Sequence, residues 1–309
     1  MADINWSAIV EERLDGFTAA SLPPTLRLPA LPHAVTQFIQ KANQPDVAIS
    51  ELAKIIETDS GLTTELLKYV NSSFIGLRGK AKTVQHTLSL LGRKQTRMHI
   101  VTTATQSAVR ARKSKLINQA SFWNSSLQKA LFAKQVAVLL KTDKDLAFSG
   151  ALLQDYLIPV ISNEFFTDYL NFIQNRSEQP VCICQFEQQT FQWDHAIAGA
   201  ALANRWHLPS DLICCILFQH FGLRILGHPQ LGRTAVAAVA VSALLPDELR
   251  QNQLGLEQLA RLSQKWPAFD LRTIAARVDE QHDEMGLGIR NAFPLSRICQ
   301  QVLDAMPPV

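Results

Sequence analysis

FSGALLQDYLIPVIS, residues 148–162, is an almost wholly apolar run interrupted by one conspicuous polar pair, Gln154-Asp155. A carboxylate in such surroundings can serve as a metal ligand, as a catalytic base or as a group held by hydrogen bonds. Other side chains with chemical potential are His195 in DHAIAG, His220 in ILFQHF and five cysteines. Cys182-Ile-Cys184 and Cys214-Cys215 lack the paired C-x-x-C spacing of a zinc site, and an odd count speaks against a disulfide framework. Buried free thiols are the expectation. The sequence contains no Gly-rich phosphate loop, no G-x-S-x-G elbow and no His-Glu-x-x-His. Trp193 and Trp206 flank DHAIAGAALANR and read as core rather than as a base-stacking platform.

Those side chains need a scaffold, and 309 residues with 47% hydrophobic content can bury a sizeable core. The periodicity is helical. Ile49, Leu52, Ile55 and Ile56 recur at helical spacing, and Asp59 stands where an N-cap belongs ahead of Leu62, Leu66 and Val70. Thr83 is placed to cap TVQHTLSLLG, with Gly92 ending it, and a longer helix is expected over 121–141. Another runs from Asp194 towards Trp206 and stops at Leu208-Pro209. Period-2 alternation is absent, so little or no sheet is expected. The N-terminus carries acids and no signal-type apolar core, and the longest apolar run, AVAAVAVSALL (235–245), is about half of a bilayer span. The expectation is a soluble, cytoplasmic protein without a membrane span.

The net charge of +3 conceals an asymmetry. Between Leu66 and Thr142 there are fourteen Lys or Arg and no Asp or Glu, which leaves −11 for the rest of the chain. The cations gather at Arg78, Lys80 and Lys82, at Arg93, Lys94 and Arg97, and at Arg110, Arg112, Lys113 and Lys115. Such clustering points to an anionic partner, nucleic acid or acidic protein, or to an acidic face of the molecule itself. Lys129, Lys134 and Lys141 read as a solvated helix face.

Several ordered motifs resemble the HDOD family, an output domain related to the metal-dependent HD hydrolases. LPALPHAVTQFIQ resembles the family's opening turn and first core helix, and ELAKIIETDSGLTTELLKYVNSSFIGL resembles its most recognisable stretch. TVQHTLSLLGRKQTRMHI matches the segment that follows, and FSGALLQDYL, DHAIAGAALANRWHLP and ILFQHF match the HD-like half. The resemblance implies an all-α fold, with an N-terminal helical bundle packed on a degenerate HD-type bundle and a C-terminal helical extension. The expected divisions are 1–23 as an N-terminal helical segment, 24–225 as the HDOD-like domain and 226–309 as the extension.

Active HD hydrolases present a His, a His-Asp pair and a further Asp to a metal, often with additional His ligands. By resemblance the first His position is Ser125, the pair is Gln154-Asp155, and His195 and His220 are the remaining candidates. The closing Asp belongs on the helix of RTAVAAVAVSALLP, which has no acid; Ser242 is the nearest placement. Structural zinc held by four ligands is worth roughly 10–16 kcal/mol, so two or three surviving donors make a weak site. The expectation is a non-catalytic signalling or regulatory module without a cofactor, acting through a signalling protein, acidic partner or ligand. Asp155 is then a structural carboxylate, bonded to a group such as His195. The competing readings are a residual metal-dependent phosphohydrolase of a nucleotide and a nucleic-acid-binding regulator using residues 66–142.

Overall fold

Short polar side chains start the helices. Asp59 Oδ1 accepts from Leu62 N at 3.0 Å, Thr83 Oγ1 from His86 N at 3.1 Å, Asn118 Oδ1 from Ser121 N at 3.1 Å and Asp194 Oδ1 from Ile197 N at 2.9 Å. Each satisfies a backbone donor that the first helical turn leaves unpaired. The computed structural model describes residues 4–44, 46–72, 75, 80–111, 114–175, 182–247, 249, 251–252, 254–284 and 293–305. Among them no strand occurs.

The first bundle contains α2 (His33–Ala42), α3 (Ile49–Glu57), α4 (Ser60–Val70) and α5 (Val84–Arg110), with α2, α3 and α4 all resting on α5. Gly92 breaks α5 with φ 76°, a conformation in which a Cβ would be strained. Gly92 therefore ends one helix, as the sequence indicates, but a second starts directly behind it. Ahead of this bundle, α1 (Trp6–Leu14) packs on the other half of the molecule, against α12 (Ser210–Leu217).

That other half is the HD-type bundle: α6 (Gln119–Leu139), α7 (Lys144–Leu153), α8 (Ile158–Glu164), α9 (Phe166–Asn175), α10 (Ile183–Phe191), α11 (His195–Arg205) and α12 (Ser210–Leu217). A 3₁₀ stretch at Gln219–Gly227 leads to α13 (Ala235–Ser242), apolar on all sides and buried on all sides, against α6 and α7. A Cβ on Gly150 of α7 would lie 2.6 Å from Cys215 Cβ, so glycine allows α7 and α12 their close approach. Contacts between α5 and α7 join the two bundles.

The C-terminal helices α14 (Gly255–Lys265), α15 (Leu271–Glu284) and α16 (Leu295–Ala305) complete the chain, with α15 against α6. Polar bonds fix that seam: His282 Nε2 to Asn124 Oδ1 at 2.6 Å and Gln128 Nε2 to the Phe293 carbonyl at 3.0 Å. No single helix among the described residues is long and apolar enough to cross a membrane.

Candidate functional site

Asp155 sits in the turn after α7, 4% exposed, and its charge is met from within the protein. Lys129 of α6, only 2% exposed, extends its Nζ to 2.9 Å from Asp155 Oδ2 and 2.9 Å from Asp247 Oδ2. Burial opposes charge on Lys129 and Asp155, but the pairing outweighs it. The two carboxylates raise the Lys129 pKa, and Lys129, then His195, hold Asp155 far below the usual carboxylate range. The sequence reading of Lys129 as part of a solvated face is corrected here. Lys129 lies one helical turn after Ser125, on the same face, and its stem crosses the core to the carboxylates.

On the opposite side of Asp155, His195 Nε2 lies 3.3 Å from Oδ1, close enough for charge attraction but outside hydrogen-bond geometry. The other ring nitrogen, Nδ1, lies 2.6 Å from Glu187 Oε2, which also accepts from the His195 backbone N–H at 2.9 Å. Tyr169 donates its phenolic proton to the remaining Glu187 oxygen. Burial alone would lower the His195 pKa; Glu187 and Asp155 reverse this and raise it to about 10. His195 is therefore an imidazolium whose Nε2 stands 2.8 Å from Nε2 of His220. Burial, and then the positive charge of His195, lower the His220 pKa to about 3. Neutral His220 is thus the acceptor in this pair.

Two cations, Lys129 and His195, answer three carboxylates, Asp155, Asp247 and Glu187. Elsewhere the pairing is incomplete. The Gln154 side-chain amide is buried with neither its nitrogen nor its oxygen bonded, while its backbone carbonyl accepts from Gln219 Nε2 at 2.6 Å. Ser125 bonds the Ser121 carbonyl of its own helix at 3.1 Å. Ser242 does likewise with Val239 at 2.8 Å, and the acid that reaches the site is Asp247, just beyond Pro246.

The donor chemistry determines whether a divalent ion fits. Beside Asp155 it does not, because the ion would share its carboxylates with an ammonium group that already bridges them. On the far side, Cys184, His195 and His220 bring three ligand atoms within 4.8 Å of one another. The Glu187 bond on Nδ1 also orients His195 as outer carboxylates orient metal-bound imidazoles. That trio suits a soft ion only in another protonation state. His195 holds its proton up to about 10, and burial, with Asp194 and Glu187 nearby, keeps the Cys184 thiol protonated. Cys214, Cys215 and Cys299 are buried free thiols as well, whereas Cys182 is exposed, contrary to the sequence expectation.

The cationic clusters lie partly outside the described residues, which exclude Arg78, Arg112 and Lys113. Lys80, Lys82, Arg93, Lys94, Arg110 and Lys115 are exposed. Lys94 is paired with Asp143, Arg97 bonds Asn43 Oδ1 at 2.8 Å, and the Arg110 guanidinium stands 5.2 Å from the centre of the Trp123 ring. Lys94 and Arg110 are sixteen residues apart on α5, about 24 Å at the helical rise, several times the ~8 Å screening length at physiological salt. They do not form one continuous patch.

Asn71 serves turn geometry by holding both the N–H and the carbonyl of Ala81, at 2.8 and 2.9 Å. Phe74 and Gly76 of the same NSSFIGL stretch lie outside the described residues. Trp193 is buried and Trp206 packs against the core.

Residues 28–221 match the family model for the HDOD domain. An uncharacterised protein of Treponema pallidum (strain Nichols) is 25% identical over 197 residues, which is 62% of this chain but only 37% of that protein. Among solved structures, an HDOD domain protein of unknown function from Geobacter sulfurreducens has a TM-score of 0.58 at 21% identity, covering 97% of this chain and 95% of its own. A Shewanella amazonensis SB2B protein named as a candidate phosphohydrolase has a TM-score of 0.59 at 18% identity, with 96% and 94% covered. A Marinobacter aquaeolei VT8 protein named as a candidate signal transduction protein has a TM-score of 0.55 at 16% identity, with 96% and 65% covered. At these identities the likeness shows the fold.

Proposed function

This chain belongs to the HDOD domain family, and from that premise we propose that it is a non-catalytic signalling or regulatory module whose HD-like site is filled by its own ammonium group. One observation carries the reading: Lys129 Nζ lies 2.9 Å from both Asp155 and Asp247. A lysine there supplies the charge that a metal ion would bring but no open coordination position, so it cannot bind and activate a water. The carboxylates then hold helices together instead of preparing a nucleophile. Regulation works through binding, in the cytoplasm, of a protein or ligand. The exposed cations Lys80, Lys82, Arg93, Lys94, Arg110 and Lys115, with half-buried Arg97 and with Arg78, Arg112 and Lys113, offer contacts to an acidic partner. Nucleic acid is the less favoured anion, because neutralisation by Asp143 and the spacing along α5 divide the field.

A second reading has its own support. The Cys184, His195 and His220 trio could hold a soft metal ion, and a relative of the same fold is named as a candidate phosphohydrolase. The purified protein, assayed against phosphomonoesters and phosphodiesters with added zinc, manganese or magnesium, separates the two. The proposal expects no turnover above the rate without protein. Turnover that disappears in Cys184→Ser and His220→Ala establishes the hydrolase reading.

A further inference from the structure

We propose that a cavity at the junction of the two bundles, whose lining shares no residue with the Lys129 network, is a binding site for a small anionic heteroaromatic ligand of the nucleoside-phosphate class. The cavity has a volume of about 820 Å³, within the roughly 300–1,000 Å³ usual for small-molecule sites. Its two walls differ in character. Residues at helical spacing on α5 contribute Gln95, His99, Thr103, Gln106 and Arg110: two amides, an imidazole, a hydroxyl and a guanidinium. The facing wall, from α6 and α7, contributes Trp123, Leu127, Phe148 and Leu152. A polar row is unusual for a helix at a bundle junction, where the inner stripe is normally apolar. It suits a ligand with one hydrogen-bonding edge and two flat apolar faces.

Aromatic surface is ready nearby: the Tyr69 and His99 rings stack at 3.8 Å with 13° between their planes. Both stay uncharged near neutrality, because burial raises the Tyr69 pKa to about 12 and lowers that of His99 to about 4. The ionic lining is Lys68, Arg110 and Lys134 against Glu65 and Asp145, a surplus of one positive charge that favours a monoanionic or dianionic group. A ligand here would touch α4 and α5 of one bundle and α6 and α7 of the other, so occupancy would couple the halves.

This inference holds whichever way the Lys129 site is read. Calorimetric titration of the full chain with AMP, GMP, ATP, GTP, adenosine and guanosine tests it. At least one nucleotide should bind with a dissociation constant below about 1 mM, at least tenfold tighter than its nucleoside. Thr103→Trp, filling the cavity from its lining, should abolish binding, and Arg110→Ala should erase the preference for phosphate. Lys129→Met should leave the affinity within twofold. Failure of every nucleotide to bind with a dissociation constant below about 1 mM would overturn the proposal. So would binding that survives Thr103→Trp, or that is lost in folded Lys129→Met.

Discussion

Lys129 Nζ lies 2.9 Å from Asp155 Oδ2, and the two side chains are 3% and 5% exposed. An ion pair so fully desolvated is a weak source of net stability while intact and a large penalty once one partner is removed.

Removal of the lysine charge therefore has a definite expected cost. Lys129→Met leaves Asp155 and Asp247 facing each other without a cation and should lower stability by about 3–5 kcal/mol in denaturant unfolding. Lys129→Met combined with Asp155→Leu, which also removes a charge, should regain a substantial part of that loss. If the double variant is less stable than Lys129→Met by the full cost of a second independent substitution, the two residues are not coupled.

Asp155 and Ser125 should behave very differently although both align with metal-ligand positions. Asp155→Ala strands Lys129 and the His195 imidazolium, so the expected loss is a few kcal/mol. Ser125→Ala removes a bond to its own helix only and should stay within about 0.5 kcal/mol. Equal effects at the two positions would remove the structural role assigned to Asp155.

The paired histidines predict a stability optimum near pH 6.5. The folded pKa of His195, about 10, lies above the ordinary 6.5, so its contribution is complete below pH 6.5 and is lost as pH rises through 10. The folded pKa of His220, about 3, lies below 6.5, so protonation of the unfolded chain erodes stability as pH falls from 6.5 towards 3. Asp155, held far below its ordinary 3.8, begins to lose its contribution only as pH falls past about that value. Thermal midpoints measured from pH 4 to 10 should fall on both sides, and His195→Gln should flatten the alkaline limb. A wild-type midpoint that is level from pH 6.5 to 10 contradicts the assignment of the charge.

The exposed cations give a separate expectation. Lys94→Glu sets a carboxylate against Asp143, the cap of α7, and should cost more stability than Lys80→Glu, which has no carboxylate partner among the described residues. The combined Arg93→Glu, Lys94→Glu and Arg97→Glu variant should lose an acidic protein partner captured at low salt. Unchanged capture would dismiss this surface as the contact.

Much of the scaffold could be read from single residues because its signals are local. The caps at Asp59, Thr83 and Asp194 precede their helices directly, and the periodicity that follows selects the buried face. The burial of Asp155 was legible from its apolar surroundings. Its principal partner was not: Lys129 and Asp247 are 118 residues apart, and only the fold brings them together. Two clues were present. Lys129 follows Ser125 by one turn, directly ahead of the apolar segment ALFA, and Asp247 stands one residue past Pro246, where the segment searched for the closing acid ends. Glu187 depended on α10 folding back so that its carboxylate reaches the first residue of α11, which local periodicity does not reveal.

The claim that a lysine serves as the resident cation of the HD-like site is tested most directly by titrating manganese into the wild-type protein and Lys129→Met and measuring bound metal. Wild type should bind no ion that depends on Asp155, while Lys129→Met, with its carboxylates released, should gain a site that Asp155→Ala removes again. Stoichiometric manganese on the wild-type chain, lost in Asp155→Ala, would contradict the claim.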